Sequence, residues 1–468
     1  MRRAALIFLF ILFFQLVIDN NSFAGEKYNP TTLVYPAFLH TYGIRKASRF
    51  HLFLFTQNKV KFKDPQGLAV VRLISWEDST TKNDDDEVTV YGVNSGQNCI
   101  IYNTSMKSLG IYGLEEKPFQ KLNRPKGIAA NEKGDVYVAD TGNNRIVKLF
   151  NPGHNLIFKK SVGEKGGSIG QFNQPHDVAL DSQGDLYVAD SGNHRVQVFS
   201  QDLKSIKEWG NEDSAAGELI FPTAICVTDK KHRWSFFKED FVVVIDNDGK
   251  RVQQFDLNGK FLRGILASTF GYPESSFAYI TIDYYNNIYI SDTKNHCIHK
   301  FDHRLNYLTG FGRQGKGKKE FLEPRGITIH RHLGQVFVAE KWGAQYYWVG
   351  TDCFNFDVKT SPKNKNIFFE YFLTEPSFIT TDILDKDKRL VTRLWAKRFK
   401  KTGKQVDAWS GKIYALADSL KEKYKISTIS SNFKKAPPGN YIVKYKIEPT
   451  YSSYHYFEKN VTKEFINE

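Results

Sequence analysis

Asp140 and Arg145, Asp190 and Arg195, and Asp246 and Arg251 place an aspartate and an arginine five residues apart three times over. A carboxylate beside a guanidinium could serve acid–base chemistry, but a reaction needs such a pair once and this one recurs. Recurrence points to a structural part: the aspartate accepts N–H groups of a turn and the arginine pairs with a carboxylate. Weaker copies put Asn94, Asp292 and Glu340 in the first place, and Cys99 and Cys297 in the arginine's place. A second set comes from the start of each copy, one residue past a proline-type position. It reads Gln66, Lys126, His176, Thr223, Ala278 and Arg325. Lys126, His176 and Arg325 are three potential cations on one column. Together they would favour a carboxylate, a phosphate or an acidic sugar.

Other motifs resolve to bland readings. Gly312 to Lys319 nearly spells a phosphate-binding loop, but it lacks the closing Ser or Thr and precedes a strand rather than a helix. It reads as a connecting loop equivalent to residues 163–170. The run Asp84-Asp85-Asp86-Glu87 lacks the ligand spacing of a calcium loop and reads as a solvated turn. The metalloprotease HExxH and hydrolase GxSxG patterns are both missing from the sequence. Cys99, Cys226, Cys297 and Cys353 form no CxxC pair, and unpaired buried thiols are expected. No catalytic residue, metal site or cofactor is assigned.

The elements that must position these residues follow from composition and repetition. The chain has 468 residues, 41% hydrophobic and 15% aromatic, with 37 Phe and 24 Tyr against 2 Met. Aromatic and β-branched wealth favours strands, and the apolar content excludes a disordered chain. The anchors 94, 140, 190, 246, 292 and 340 recur at intervals of about fifty residues, giving six units. In the third unit, strands are expected at 178–181, 186–189, 195–199 and 205–209. A four-stranded unit cannot cover both its faces, so neighbours must do so, which fits a ring of blades.

The frame Pro125-Lys126-Gly127-Ile128-Ala129, then Val136-Tyr137-Val138-Ala139-Asp140-Thr141-Gly142-Asn143-Asn144-Arg145, resembles the NHL repeat. It returns near-complete from Pro175 to Phe199, and the resemblance covers roughly residues 60–350. It implies an all-β fold, a six-bladed β-propeller used mainly for binding. Some propeller lyases related to this repeat form hold zinc through histidines near the start of the innermost strands. Here that column offers only His176, and zinc catalysis takes about three protein ligands. The sixth unit runs out near Trp348 and Val349, and residues 49–57 (Arg-Phe-His-Leu-Phe-Leu-Phe-Thr-Gln) are expected to supply its missing strand.

Both ends differ from the repeats. Met1-Arg2-Arg3 leads into an apolar stretch that ends near Ser22-Phe23-Ala24, the pattern of a secretory signal cleaved after Ala24. From Asn355 onward there are 22 Lys and Arg against 13 Asp and Glu, out of a net charge of +14. Lys397, Arg398, Lys400 and Lys401 are its densest run. Strands are expected at 367–373, 378–384 and 390–395, with a short helix at 414–423 inside an insertion. Trp409-Ser410-Gly411 and Pro437-Pro438-Gly439-Asn440-Tyr441 resemble the immunoglobulin-like domain of flagellar hook-capping proteins. That resemblance implies a bacterial envelope setting and a small β-sandwich.

The expected organisation is a signal peptide (1–24), a propeller (25–354, with about 45–57 closing the last blade) and a basic sandwich (355–468). The expected function is a secreted, periplasmic or surface-bound monomeric scaffold for a protein or an anionic glycan or envelope surface. Nucleic acid is disfavoured by export, and an enzyme is disfavoured by the empty motif search. The alternative is a propeller-type hydrolase or lyase with a metal in the central channel.

Overall fold

The computed structural model describes residues 30–36, 45–76, 88–105, 108–247, 249–363, 365–413, 435–451 and 457–467. The signal segment, the acidic run at 84–87 and the expected helix at 414–423 lie outside them. The chain divides into residues 1–31 and a second compact unit, Thr32–Glu468, which contains everything below. No helix among the described residues is long and apolar enough to cross a membrane.

Strand pattern follows residue pattern closely in the repeats. The third sheet is Pro175–Leu180, Leu186–Asp190, Arg195–Phe199 and Ser205–Trp209, antiparallel and paired in that order. Period-2 alternation sends successive side chains to opposite faces. In the second sheet, Val136 and Val138 pack with Tyr91 and Val93 of the first. Between them, Tyr137 and Ala139 pack with Leu186 and Val188 of the third. Each sheet is therefore covered on both faces by its neighbours. Five such sheets have four strands each, and a sixth is completed from elsewhere in the chain.

The innermost strands are Pro65–Val71, Ile128–Ala130, Pro175–Leu180, Ala224–Thr228, Phe277–Ile282 and Pro324–His330. They touch in turn, and the sixth touches the first, so the sheets close into a β-propeller. Close approach at the axis explains the glycine of the Pro-x-Gly frame. A Cβ on Gly326 would lie 2.1 Å from the Gln66 carbonyl oxygen, and one on Gly127 would lie 2.2 Å from Asp177 Oδ1. All six anchors, Asn94, Asp140, Asp190, Asp246, Asp292 and Glu340, end the second strand of their sheets.

The closing strand corrects the sequence expectation. Leu33–Val34 and Lys46–Ala47 pair antiparallel with Gly343–Val349, the third strand of the sixth sheet. Residues 49–57 do not join the sheet; Arg49–Thr56 is an α-helix. The Ser48 N–H donates to His51 Nδ1 at 3.2 Å, which satisfies a group at the helix start. Leu52 and Thr56, four apart, share the buried face, and Leu52 packs with Val60 and Cys99. Gln57 ends the helix at a left-handed φ of 52°. A run with apolar residues at Phe50 and at all of 52–55 fits either period, so the sequence alone could not choose.

Beyond Val349 the chain enters two stacked sheets. One joins Cys353–Thr360, Ile367–Leu373 and Gly403–Trp409; the other orders Leu390–Lys400, Ser377–Asp385, Gly439–Pro449 and Lys459–Asn467. Their shared core includes Phe369, Tyr371, Ile383, Val443, Tyr445 and Trp409. The linker is stitched at Asp352. Its carboxylate accepts from Thr32 Oγ1 at 2.6 Å and from Lys459 Nζ at 2.8 Å, so the N-terminal strand and the last sandwich strand meet there.

Candidate functional site

The Asp–Arg frame is structural. Asp140 Oδ1 accepts the Asn123 N–H at 2.7 Å, and Oδ2 accepts Arg145 Nε at 2.7 Å. Arg145 then donates to the carbonyls of Phe119 and Lys121, fastening the incoming loop to the hairpin. Asp190 with Arg195 and Asp246 with Arg251 repeat this arrangement. The glycine-rich segment at 312–319 is the same kind of incoming loop. Gln314 bridges Phe321 just as Lys165 bridges Phe172 and Glu212 bridges Leu219.

Because the six column residues hold one position in one repeat, the ring points them at one place. Gln66, Lys126, His176, Thr223, Ala278 and Arg325 all line a single cavity of about 520 Å³ at one end of the channel. Lys294, His296 and Glu323 join them from loops. One residue further along each strand, Asp177 and Tyr279 stand where three other strands carry glycine. Tyr279 Oη donates to Gln66 Oε1 at 3.1 Å and sits 3.3 Å from the Lys126 carbonyl oxygen. Tyr279 lines this cavity, and Asp177 lines a second one beyond it. That second cavity, of about 470 Å³, follows the same strands toward the other end, lined in part by Arg331 and Trp234.

The electrostatics of the mouth revise the expectation of three converging cations. Arg325 is neutralised: it pairs with Asp64 and lies 3.6 Å from Glu323. Desolvation, helped by the charge on Lys126, pulls His176 down to about 4, so the ring is neutral at pH 7. Its Nδ1 lies 3.2 Å from the Thr223 carbonyl oxygen. Lys126 remains. Burial lowers its pKa, with Arg325 and Arg124 adding to the effect and Asp64 opposing it. Among the described residues no carboxylate stands within ion-pair distance of its ammonium. Asp177 is the mirror case: burial raises its carboxyl to about 7, against N–H donors from Ile225 and Val178.

Sequence reasoning missed Asp64 and Glu323, which hold the repeat position just before the proline, where Arg124, Gln174 and Phe221 share their left-handed φ. It also missed Asp177 and Tyr279, although both break the glycine column next to the one it used. The mouth brings no three ligand atoms of His, Cys, Asp or Glu within coordinating range of one another among the described residues; one such group occurs elsewhere, inside the fifth sheet. The four cysteines are free, with Cys99, Cys226 and Cys297 buried. In the basic run of the sandwich, Lys400 pairs with Asp407 at 2.6 Å and Lys397 with Glu448 at 3.5 Å, while Arg398 lies over Trp395.

The fold is a β-propeller, and two of its sheets carry segments that match the NHL repeat. The NHL repeat family matches residues 122–149 and 172–199, the segments that build the second and third sheets. Among solved structures the chain is similar to virginiamycin B lyase from Staphylococcus aureus, at 14% identity, with 57% of this chain and 83% of that one covered and a TM-score of 0.40. It is similar to a streptogramin B lyase at 16% identity, covering 62% and 94%, with a TM-score of 0.41. It is similar also to a gluconolactonase from Xanthomonas campestris at 11% identity, covering 68% and 98%, with a TM-score of 0.43. No curated protein matches the chain.

Proposed function

We propose that this chain is an exported, non-enzymatic binding protein whose six-bladed propeller takes an anionic group of a glycan or protein at the mouth around Lys126. The observation that carries the reading is the unpaired, partly desolvated ammonium of Lys126 in an open cavity of about 520 Å³. A buried charge without a partner is costly, and an incoming carboxylate or phosphate supplies the missing partner. Gln66, Thr223 and the Arg325–Asp64 pair give the rim hydrogen-bonding groups that orient a ligand. The alternative, a hydrolase or lyase with a metal in the channel, has no ligand set at the mouth among the described residues in its support.

Export is supported by the basic and apolar start before Ala24. We read the C-terminal sandwich as immunoglobulin-like. Its strands divide as the first, second and fifth against the fourth, third, sixth and seventh. Tyr441, early in the sixth strand, donates its hydroxyl to the Pro437 carbonyl at 2.8 Å, a tyrosine corner. Its net basic charge would hold the monomer near an anionic envelope surface. The test is an array of uronate- and phosphate-bearing oligosaccharides, with calorimetric titration of the best binder. Lys126→Ala should weaken binding at least about tenfold, and added salt should weaken the wild type. Equal binding by Lys126→Ala, or no binder on the array, overturns the reading.

A further inference from the structure

The fifth sheet departs from the charge balance kept by the others. In the second, third and fourth sheets the buried anchor carboxylate is matched by an arginine. In the sixth, Glu340 is matched by Lys46 of the closing strand at 2.7 Å. In the first, Cys99 has replaced the arginine, but the anchor has become the neutral Asn94, whose Nδ2 lies 3.7 Å from the Cys99 sulfur. Anion and cation are lost together there. The fifth sheet loses the arginine, to Cys297, and keeps the carboxylate, Asp292. Among the described residues no Lys or Arg pairs with Asp292. Its side-chain neighbours include His299 Nε2, 3.0 Å from Oδ2, and Asn295.

We propose that a zinc ion supplies the missing charge, bound by Asp292, Cys297 and His299. Their ligand atoms all lie within 4.8 Å of one another, and all three residues are buried. Donors about 2.0 and 2.3 Å from one tetrahedral ion stand roughly 3.5 Å apart. Cys297 Sγ and His299 Nε2 are 3.5 Å apart, and the Asp292–His299 edge opens by a few tenths of an ångström to admit the ion. Phe270, Tyr272, Phe277, Phe301 and Tyr307 ring the imidazole, so little water screens the carboxylate. His299 Nδ1 has no hydrogen-bond partner in this shell. Zinc coordinated by a thiolate, a carboxylate and a neutral imidazole leaves the group uncharged. Binding releases the Cys297 thiol proton to solvent and places the imidazole proton on Nδ1. A site inside a sheet closes during folding, so the ion acts as a structural staple. None of the three ligands lines the channel mouth, although Thr293, Lys294 and His296 of the turn between them do, and the site does not depend on the ligand read there.

The test uses the full chain, stripped with a chelator and titrated with cobalt(II) and then zinc. One equivalent should bind, cobalt should give a thiolate charge-transfer absorption, and zinc should raise Tm. Cys297→Ala should abolish the absorption and weaken zinc binding at least about 100-fold. The double variant Cys297→Arg with His299→Gln restores the Asp–Arg–Gln set of the third and fourth sheets. It should fold without metal, with a Tm indifferent to zinc, which keeps the test readable if Cys297→Ala does not fold. Absence of a charge-transfer band in the wild type, a band that survives Cys297→Ala, or a wild-type Tm unmoved by zinc overturns the proposal. Lys126→Ala should leave zinc binding unchanged, so failure at this site and failure of the ligand reading are told apart.

Discussion

His176 and Asp177 are neighbours on one strand, and burial moves their pKa values in opposite directions. His176 falls to about 4, below its ordinary value near 6.5. The unfolded chain takes up a proton there that the folded chain refuses, so this stability is full above pH 6.5 and is lost as pH falls toward 4. Asp177 rises to about 7, above its ordinary value. Its folded form keeps a proton that the unfolded form gives up, so that stability is full near pH 4 and is lost as pH rises to 7. Between pH 4 and 6.5 the two trends oppose each other. Asp177→Asn should therefore steepen the rise of unfolding free energy with pH, by up to about 4 kcal/mol across the window. His176→Gln should shift the trend the other way by less, since its ring faces the open mouth. Urea unfolding of both variants and the wild type at pH 4, 5.5 and 7 checks this, and parallel curves would remove the assignment. At this scale the column of site residues was legible because a repeat position fixes a side chain's direction. Asp64 and Glu323 were not, because their repeat position, just before the proline, carries no constant charge: it holds Arg124, Gln174 and Phe221 in other units. The Asp292–Cys297–His299 cluster was missed because its spacing follows a hairpin rather than a two-cysteine motif, although a kept aspartate beside a lost arginine marked it in the sequence.

Among the elements, the closing strand shows how far pattern reading reaches. The sixth unit visibly lacked a strand, and the N-terminal chain was the available donor, so the topology could be inferred. Which residues do the pairing could not, because the two short pieces, Leu33–Val34 and Lys46–Ala47, are each too brief to show alternation. The more conspicuous apolar run at Arg49–Thr56 became a helix. Leu33 is fully buried in the core that also holds Phe321, Tyr347 and Trp348. Leu33→Ala should cost about 2–5 kcal/mol by the cavity rule. Leu33→Asp should go further, freeing the edge of Gly343–Val349 for pairing with other chains. Light scattering on heating checks the second effect. Aggregation no faster than in the wild type would mean that the ring holds without its N-terminal strand.

Across the whole molecule, propeller and sandwich are joined through a buried polar knot within an apolar seam. Tyr451 of the sandwich packs with Tyr284 and Tyr285 of the fifth sheet's hairpin. Tyr285 Oη and Thr450 Oγ1 lie 2.6 Å apart. Lys300, on the third strand of the fifth sheet, reaches Glu375, and both side chains are almost fully buried. Asn287 Nδ2 donates to the same carboxylate at 3.0 Å. Burial raises the Glu375 carboxyl, and Lys300 pulls against that rise. A buried pair adds little net stability over an apolar replacement, yet breaking it on one side costs about 3–5 kcal/mol. Lys300→Met should therefore destabilise the chain by that order, and the double variant Lys300→Met with Glu375→Met should recover most of the loss. Because the pair spans the junction, its main consequence is cooperativity. The wild type should melt in one calorimetric transition, whereas Lys300→Met should separate a sandwich transition from a propeller transition. Two transitions already present in the wild type, or one that survives in Lys300→Met, would show that the apolar seam and the Asp352 stitch couple the two parts without this pair.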